Sequence, residues 1–208
     1  VDLAVRCTSQ FEDSARREGF SRIAGVDEAG RGCLFGPVFA AAVILDPDRP
    51  IRGLADSKTL DEERRNELAP VIRANAVAWA VGTASAEEID RINIRQASRL
   101  AMRRAVESLA PNCDYLLVDA LTIDWPVPQQ ALIKGDARVR SIAAASILAK
   151  VSRDACLTEL DLQYPGYGLA RHKGYPTPEH KEALFRLGPT PLHRRSYAPV
   201  IQALQRTL

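Results

Sequence analysis

The apolar runs along this chain are short and end abruptly. Val38-Phe39-Ala40-Ala41-Ala42-Val43-Ile44-Leu45 is uninterrupted, follows Pro37 and closes on Asp46-Pro47-Asp48, so it predicts a central strand. Ile23 to Val26 predicts a buried strand before it, which stops on two adjacent acids, Asp27 and Glu28, with Gly30-Arg31-Gly32 directly after. Val77, Trp79 and Val81 alternate with smaller residues and predict a third strand ending at Gly82. Tyr115 to Val118 and Ala131 to Ile133 are further apolar stretches, and they too run into acids, Asp119 and Asp136.

Helical patterns lie between these runs. Phe11 to Glu18 predicts a short charged helix leading into the first strand. Thr59-x-x-Glu62 matches a capping box for a helix from Asp61 to about Ala76, with Pro70 expected to kink it or end it early. Ser85-x-x-Glu88 opens a second helix reaching about Leu109, on which Arg91, Arg95, Arg99 and Arg103 fall four apart as an exposed face. Ser141 to Asp154 is a helix rich in Ala and Ser, small enough to lie close to a sheet and hold the hydroxyls of Ser141 and Ser146 near the acids. Beyond Tyr164-Pro165-Gly166-Tyr167-Gly168 the composition shifts to loops, prolines and basic residues, and all 3 histidines lie there.

Charge at the end of a core strand calls for a reason. Burying a carboxylate without a partner costs several kcal/mol, so acids in such places are usually paired or bound to metal. Adjacent strand residues point to opposite faces, so Asp27 and Glu28 are expected to divide, one into a site and one reaching it from the rim. Gly30 and Gly32 can take positive φ and expose N–H groups, while Arg31 offers a fork suited to phosphate. A strand leaving for a turn looks the same, and alone this stretch fits both readings. Repetition at Asp119 and Asp136 tilts the balance, because exit turns could equally have been Asn, Ser or Gly.

Composition adds bounds. With 208 residues and 46% hydrophobic content there is material for one sizeable core and a small appendage. The formal charge is only +2, yet Lys134 to Arg153 and Arg171 to Arg195 each carry a local basic excess, which suggests a polyanion contact, although a solvated face is the commoner cause of any single run. The 4 cysteines are scattered without a C-x-x-C, which fits a reduced compartment. Asp2, Arg6, Glu12 and Asp13 leave no secretory signal evident, and Val38–Leu45 is too short to span a bilayer, so the expectation is a cytoplasmic protein without membrane contact. Gly30-x-Gly32-x-x-x-Gly36 has the wrong spacing for a dinucleotide fingerprint, and Pro37 with a strand follows where a helix should start.

Gly25-Val26-Asp27-Glu28-Ala29-Gly30-Arg31-Gly32, Asp56-Ser57-Lys58, Val118-Asp119, Lys134-Gly135-Asp136, the Ser141 to Asp154 helix and His172-Lys173-Gly174-Tyr175-Pro176-Thr177 occur in the order seen in bacterial type II ribonuclease H, and the chain resembles that family over about residues 20 to 200. The resemblance implies a ribonuclease H-like α/β fold, a central mixed sheet flanked by helices, with a catalytic core over residues 1–160, a lead-in over 1–20 and a helical C-terminal extension over 161–208. It implies endonucleolytic hydrolysis of RNA in RNA/DNA hybrids and nicking 5′ to single ribonucleotides in duplex DNA. Mg²⁺ or Mn²⁺, two ions in the active complex, would be held by Asp27, Glu28, Asp119 and Asp136. Gly30, Arg31 and Gly32 would recognise the ribonucleotide through its 2′-hydroxyl, and Tyr175 would pack on the sugar of the following deoxynucleotide. Lys58, Ser146 and Lys150 would contact the backbone. Cys33 stands where Pro or Ala is more usual in the family and is expected only to pack.

The chemistry is consistent with that picture. Hard Mg²⁺ prefers carboxylate oxygens, two ions can stabilise attacking and leaving oxygens together, and the 2′-hydroxyl is what tells RNA from DNA. Without metal the acids should repel one another, and at least one should titrate high. His172 and His180 are read as structural or phosphate-side groups, and little sequence preference is expected. Two other classes remain in view: a resolvase-like DNA nuclease, which would not need the Tyr175 loop, and a non-catalytic hybrid-binding protein, against which the intact acids speak. Monomer is the default expectation, and Gln202 to Leu208 holds no peptide readable as a replication-clamp motif, so that contact stays open.

Overall fold

Alternation of apolar residues with a period of two, and runs too apolar to face water at all, build a five-stranded sheet in this computed structural model, which describes residues 7–206. Asp2 and Arg6, and the last two residues of the Gln202 to Leu208 tail, lie outside the described residues. The strands are β1 (Ile23–Ala29), β2 (Val38–Leu45), β3 (Ala76–Ala84), β4 (Tyr115–Asp119) and β5 (Gln129–Leu132), in the order β3-β2-β1-β4-β5. β2 runs antiparallel to both β1 and β3, and β4 runs parallel to β1 and β5, so the sheet is mixed. The helices are α1 (Gln10–Arg17), α2 (Glu62–Asn75), α3 (Ala86–Glu107), α4 (Gly135–Arg138), α5 (Arg140–Gln163), α6 (Leu169–His172), α7 (Pro178–Leu187) and α8 (Ala198–Arg206).

The pleat sorts the sheet into two faces. Ala24, Val26, Ala40, Ala42, Leu116 and Val118 pack under α3. Ala41 and Val43 face α5 and α2, and Leu117 meets Ile142 of α5. Two glycines set how closely the helices approach. A Cβ on Gly25 would overlap the backbone of Ser141 at the start of α5, and one on Gly82 would overlap the backbone of α3 at Ala101 and Ala105. This explains why β3 runs past Gly82 to Ala84: that glycine seats a helix instead of opening a turn. Ala78 and Ala80 face inward, and Val77 and Trp79 are exposed, with Arg73 lying over the indole.

Several sequence expectations change here. Asp61, not Thr59, caps α2, accepting from the Arg64 N–H at 2.7 Å, while the Thr59 hydroxyl donates to the Asp56 carbonyl. Pro70 does not end α2, which runs on to Asn75, and it lies on the exposed face of the helix. The Ser85 and Glu88 box forms as expected, but α3 breaks at Asn93 (φ 66°), whose side chain accepts from the N–H groups of Arg95 and Gln96 and restarts the helix. β5 stops at Leu132, and a turn through Lys134 (φ 55°) places Asp136 in the first turn of α4, so this acid sits on a helix and not on a strand end.

Because the obstacle at Gly25 is backbone, Gly25→Ala is expected to cost at least about 3 kcal/mol of stability, read as a lowered midpoint in urea denaturation.

Candidate active site

Sheet register makes the first pair of acids neighbours. Val26 pairs with Val118 across the parallel β1 and β4, so the next residues, Asp27 and Asp119, leave the sheet side by side on the face covered by α5. Asp27 is buried, and its Oδ1 accepts from the Glu28 N–H at 2.7 Å. Asp119 accepts from the Gly135 N–H at 2.7 Å, which fastens α4, and therefore Asp136, to the end of β4. A Cβ on Gly135 would come to 2.6 Å from Ile142 Cδ1 and 3.3 Å from Asp119 Oδ1, so a larger residue here would have to displace the Ile142 side chain. Glu28 takes the opposite side of β1, where Arg31 Nη1 donates to its Oε1 at 3.1 Å and its Oε2 is buried without a partner. Asp136 accepts from Lys58 Nζ at 3.0 Å.

Electrostatics record the crowding. Burial, then the charges of Glu28 and Asp119, push the Asp27 carboxyl well above its ordinary range. Burial also raises Glu28 against the pull of Arg31, and raises Asp119 against the Gly135 N–H. Burial alone would lower the Lys58 ammonium, but its bond to Asp136 and the charges of Asp56 and Asp27 raise it. Among the described residues no three acid, histidine or cysteine side chains already surround one point as metal ligands do. Lys58 and Arg31 neutralise Asp136 and Glu28 instead.

An open cleft of about 330 Å³ gathers Asp27, Glu28 and Asp119 with Gly30, Arg31, Gly32, Lys58, Ser146, Lys150 and Tyr175. Asp136 meets this group through Lys58. The Ser146 hydroxyl lies 2.8 Å from the Ser57 hydroxyl, which can donate to it, and hydrogen-bonds Asp27. Ser141, expected beside the acids, is instead buried against Gly25, its N–H donating to Glu12. Lys150 pairs with Asp154 at 2.8 Å and lies 5.6 Å from the Tyr175 ring. A larger hollow of about 480 Å³ between α3 and the loop after β4 brings together Arg99, Arg103 and Asp124, and no cluster of carboxylates.

The turn that carries Gly30 to Gly32 is held from inside by buried guanidinium groups. Arg194 donates to the carbonyls of Gly30 and Arg31 at 2.8 Å each and to Gly36 at 3.0 Å. Arg153 donates to the carbonyls of Lys173 and Phe35 and packs so tightly on Gly30 (φ 94°) that a Cβ there would overlap its Nε. Both arginines are fully buried, so two charges counted in the basic runs, expected at a polyanion contact or a solvated face, are in fact internal. A signal existed for Arg153: it continues the buried row Ile142, Ser146, Ala149 at helical spacing. Arg194, in an irregular segment, had no such pattern.

Comparison with known proteins accords with this geometry. Residues 24–200 match the family model for Ribonuclease HII. The chain belongs to the ribonuclease HII family. It is 60% identical over 195 residues to Ribonuclease HII of Solibacter usitatus, an overlap of 94% of this chain and 86% of that protein. Among solved structures, ribonuclease H2 from Pyrococcus horikoshii OT3 aligns with TM-score 0.76 and 27% identity over 89% of this chain and 98% of its own. The RNase HII of the PCNA:RNase HII complex from Archaeoglobus fulgidus aligns with TM-score 0.70 and 29% identity over 83% of this chain and 92% of that one. The fold is ribonuclease H-like, and the protein is a metal-dependent ribonuclease H (EC 3.1.26.4).

The residues present fit the divalent ion that the family requires. The donors are carboxylate oxygens, one of them buried and unpartnered on Glu28, which suits a hard cation. In the metal-free protein Asp27 is a liability whose sign follows from its raised folded value. Unfolded, it ionises in the ordinary Asp range, so stability is lost as the pH rises from that range through the folded value. Asp27→Asn is therefore expected to stabilise the metal-free protein by about 1–3 kcal/mol at pH 8, with the gain vanishing as the pH falls below the ordinary Asp range, measured by chemical denaturation.

Proposed function

We propose that this protein hydrolyses the RNA strand of RNA/DNA hybrids and nicks 5′ to single ribonucleotides in duplex DNA, leaving a 3′-hydroxyl and a 5′-phosphate. The observation that carries the reading is the meeting, in one cleft, of strand-end carboxylates with the Gly30 to Gly32 turn and the Tyr175 ring. Such a protein would serve in excision of misincorporated ribonucleotides and removal of RNA primers. It would act in the cytoplasm, which fits four free cysteines and, among the described residues, no helix long and apolar enough to cross a membrane.

Asp27, Glu28, Asp119 and Asp136 would hold Mg²⁺ or Mn²⁺, two ions in the active complex. When bound, these ions supply charge for the attacking water and the leaving oxygen. The chain's own residues do the rest. Asp27 and Asp119 are fixed by main-chain N–H donors, so their free oxygens face the cleft in set directions. Lys58, Ser146 and Lys150 line it as backbone contacts. Arg194 engages the carbonyls of Gly30 and Arg31 from inside, which leaves the other edge of the turn for a 2′-hydroxyl and its phosphate. Open space lies beside Gly32, where a sugar would approach. Tyr175, 40% exposed at the rim, would pack on the next deoxyribose and so sense the junction. Monomeric action suffices for all of these contacts. The Archaeoglobus relative's complex with PCNA makes a replication clamp a reasonable partner for this chain too.

In a cleavage assay with Mg²⁺ on all-DNA, single-ribonucleotide and RNA/DNA duplexes, only the ribose-containing substrates are expected to be cut, and Asp119→Asn should lower turnover at least about 100-fold. Turnover of the variant near that of the parent would overturn the acid assignment, and cutting of all-DNA would favour a resolvase-like enzyme. The two glycines should also separate. Gly32→Ala is expected to raise KM about tenfold or more with an unchanged Tm, whereas Gly30→Ala, meeting Arg153, should lower the Tm as well.

A further inference from the structure

His172, His180 and His193 are buried together beneath the Tyr175 loop, with the rings of His172 and His180 stacked at 4.4 Å. Their hydrogen bonds fix every tautomer. The Thr190 N–H donates to His193 Nδ1 at 3.0 Å, so that nitrogen is unprotonated and the proton of the neutral ring lies on Nε2. His193 Nε2 can then donate to His180 Nε2 at 3.3 Å. That leaves the His180 proton on Nδ1, which donates to the Tyr175 carbonyl at 2.9 Å. His172 is set in the same way: Nδ1 accepts from the Gly174 N–H and Nε2 donates to the Tyr167 carbonyl at 2.7 Å. Burial keeps the relay neutral, pushing His180 down to about 4 and His193 to about 3.

The loop so held contains strained backbone. Lys173 (φ 49°) and Gly174 (φ 77°) are consecutive left-handed residues, and the first carries a side chain. The Tyr175 carbonyl already accepts from the Thr177 N–H at 2.8 Å, so the bond from His180 is not needed to satisfy it. A second donor on the same oxygen fixes the plane of the peptide, and with it the direction in which the ring leaves the loop. An apolar residue could fill the space of His180 but could not do this.

We propose that the His193 to His180 relay is a positioning device for Tyr175, fixing the ring that tests the junction through its own main-chain carbonyl. The proposal rests on the reading of Tyr175 as a substrate contact. A double-mutant cycle on the full chain, read as steady-state kinetics on a duplex with one ribonucleotide, tests it. His180→Phe is expected to lower kcat/KM about tenfold through KM, and His180→Asn, which can keep an N–H near the Nδ1 position, should recover most of that loss. In a Tyr175→Ala background, His180→Phe should change kcat/KM by less than about twofold. Equal losses in both backgrounds would overturn the relay while leaving Tyr175 a substrate contact. Tyr175→Ala with unchanged kinetics would overturn both readings. If His180→Phe does not fold, His193→Asn enters the same cycle: it keeps an acceptor for Thr190, removes the Nε2 proton, and is judged by the same outcomes.

Discussion

Two guanidinium groups placed in the interior against main-chain carbonyls are the interaction on which the rest of the cleft depends. A buried cation is costly unless nearly every donor is satisfied, and a fixed planar fork satisfies several acceptors at once where an ammonium could not. Arg194 meets carbonyls from Gly30, Arg31 and Gly36, whereas Arg153 meets those of Phe35 and Lys173 and leaves its Nε buried without a partner. The turn after β1 and the loop before Tyr175 carry no regular hydrogen-bond ladder of their own. Arg194 shapes the turn, Arg153 ties the turn and the loop together, and the Leu34 N–H joins them directly through the Gly174 carbonyl at 2.8 Å. Burial lowers the affinity of Arg194 for its proton, yet a guanidinium has enough margin to stay charged.

The acids pull in the other direction. Register and pleat put Asp27 beside Asp119 on the α5 face and send Glu28 to the other side, so no local rearrangement can spread them out without breaking the sheet. The fold answers with local counter-charges at the margin, Lys58 on Asp136 and Arg31 on Glu28, and leaves Asp27 at the centre with only hydrogen-bond donors. An arrangement of this kind is tense until a cation joins it. Stability is given up at the place where charge is needed, and the tight seating of α5 on Gly25 and of α3 on Gly82 lies elsewhere in the sheet.

Much of this was legible in the sequence because it rests on period and on local chemistry. Val38–Leu45 reads as a strand with its observed bounds, and Ser85 with Glu88 reads as the cap that forms. Asp27, Glu28 and Asp119 were visible as charge closing an apolar run. What could not be read depends on contacts between distant residues. Gly82 looks like a turn residue until α3 is laid against it, and Asp136 looks like a strand end until Lys134 adopts a left-handed conformation and starts a helix. Arg153 and Arg194 counted as surface charge, since composition cannot tell a guanidinium that faces water from one that faces carbonyls.

The bond from Arg194 to the Gly30 carbonyl spans 164 positions of the chain. During synthesis at about 5–20 residues per second, the sheet and its acids would be available for folding well before residue 194 leaves the ribosome. The turn beside the acids would then wait, unshaped, for a segment made long after it. A nascent chain that has paired its strands therefore still lacks the buried fork that shapes the Gly30 to Gly32 turn, and the order of translation leaves that side of the cleft unfinished until residue 194 has emerged.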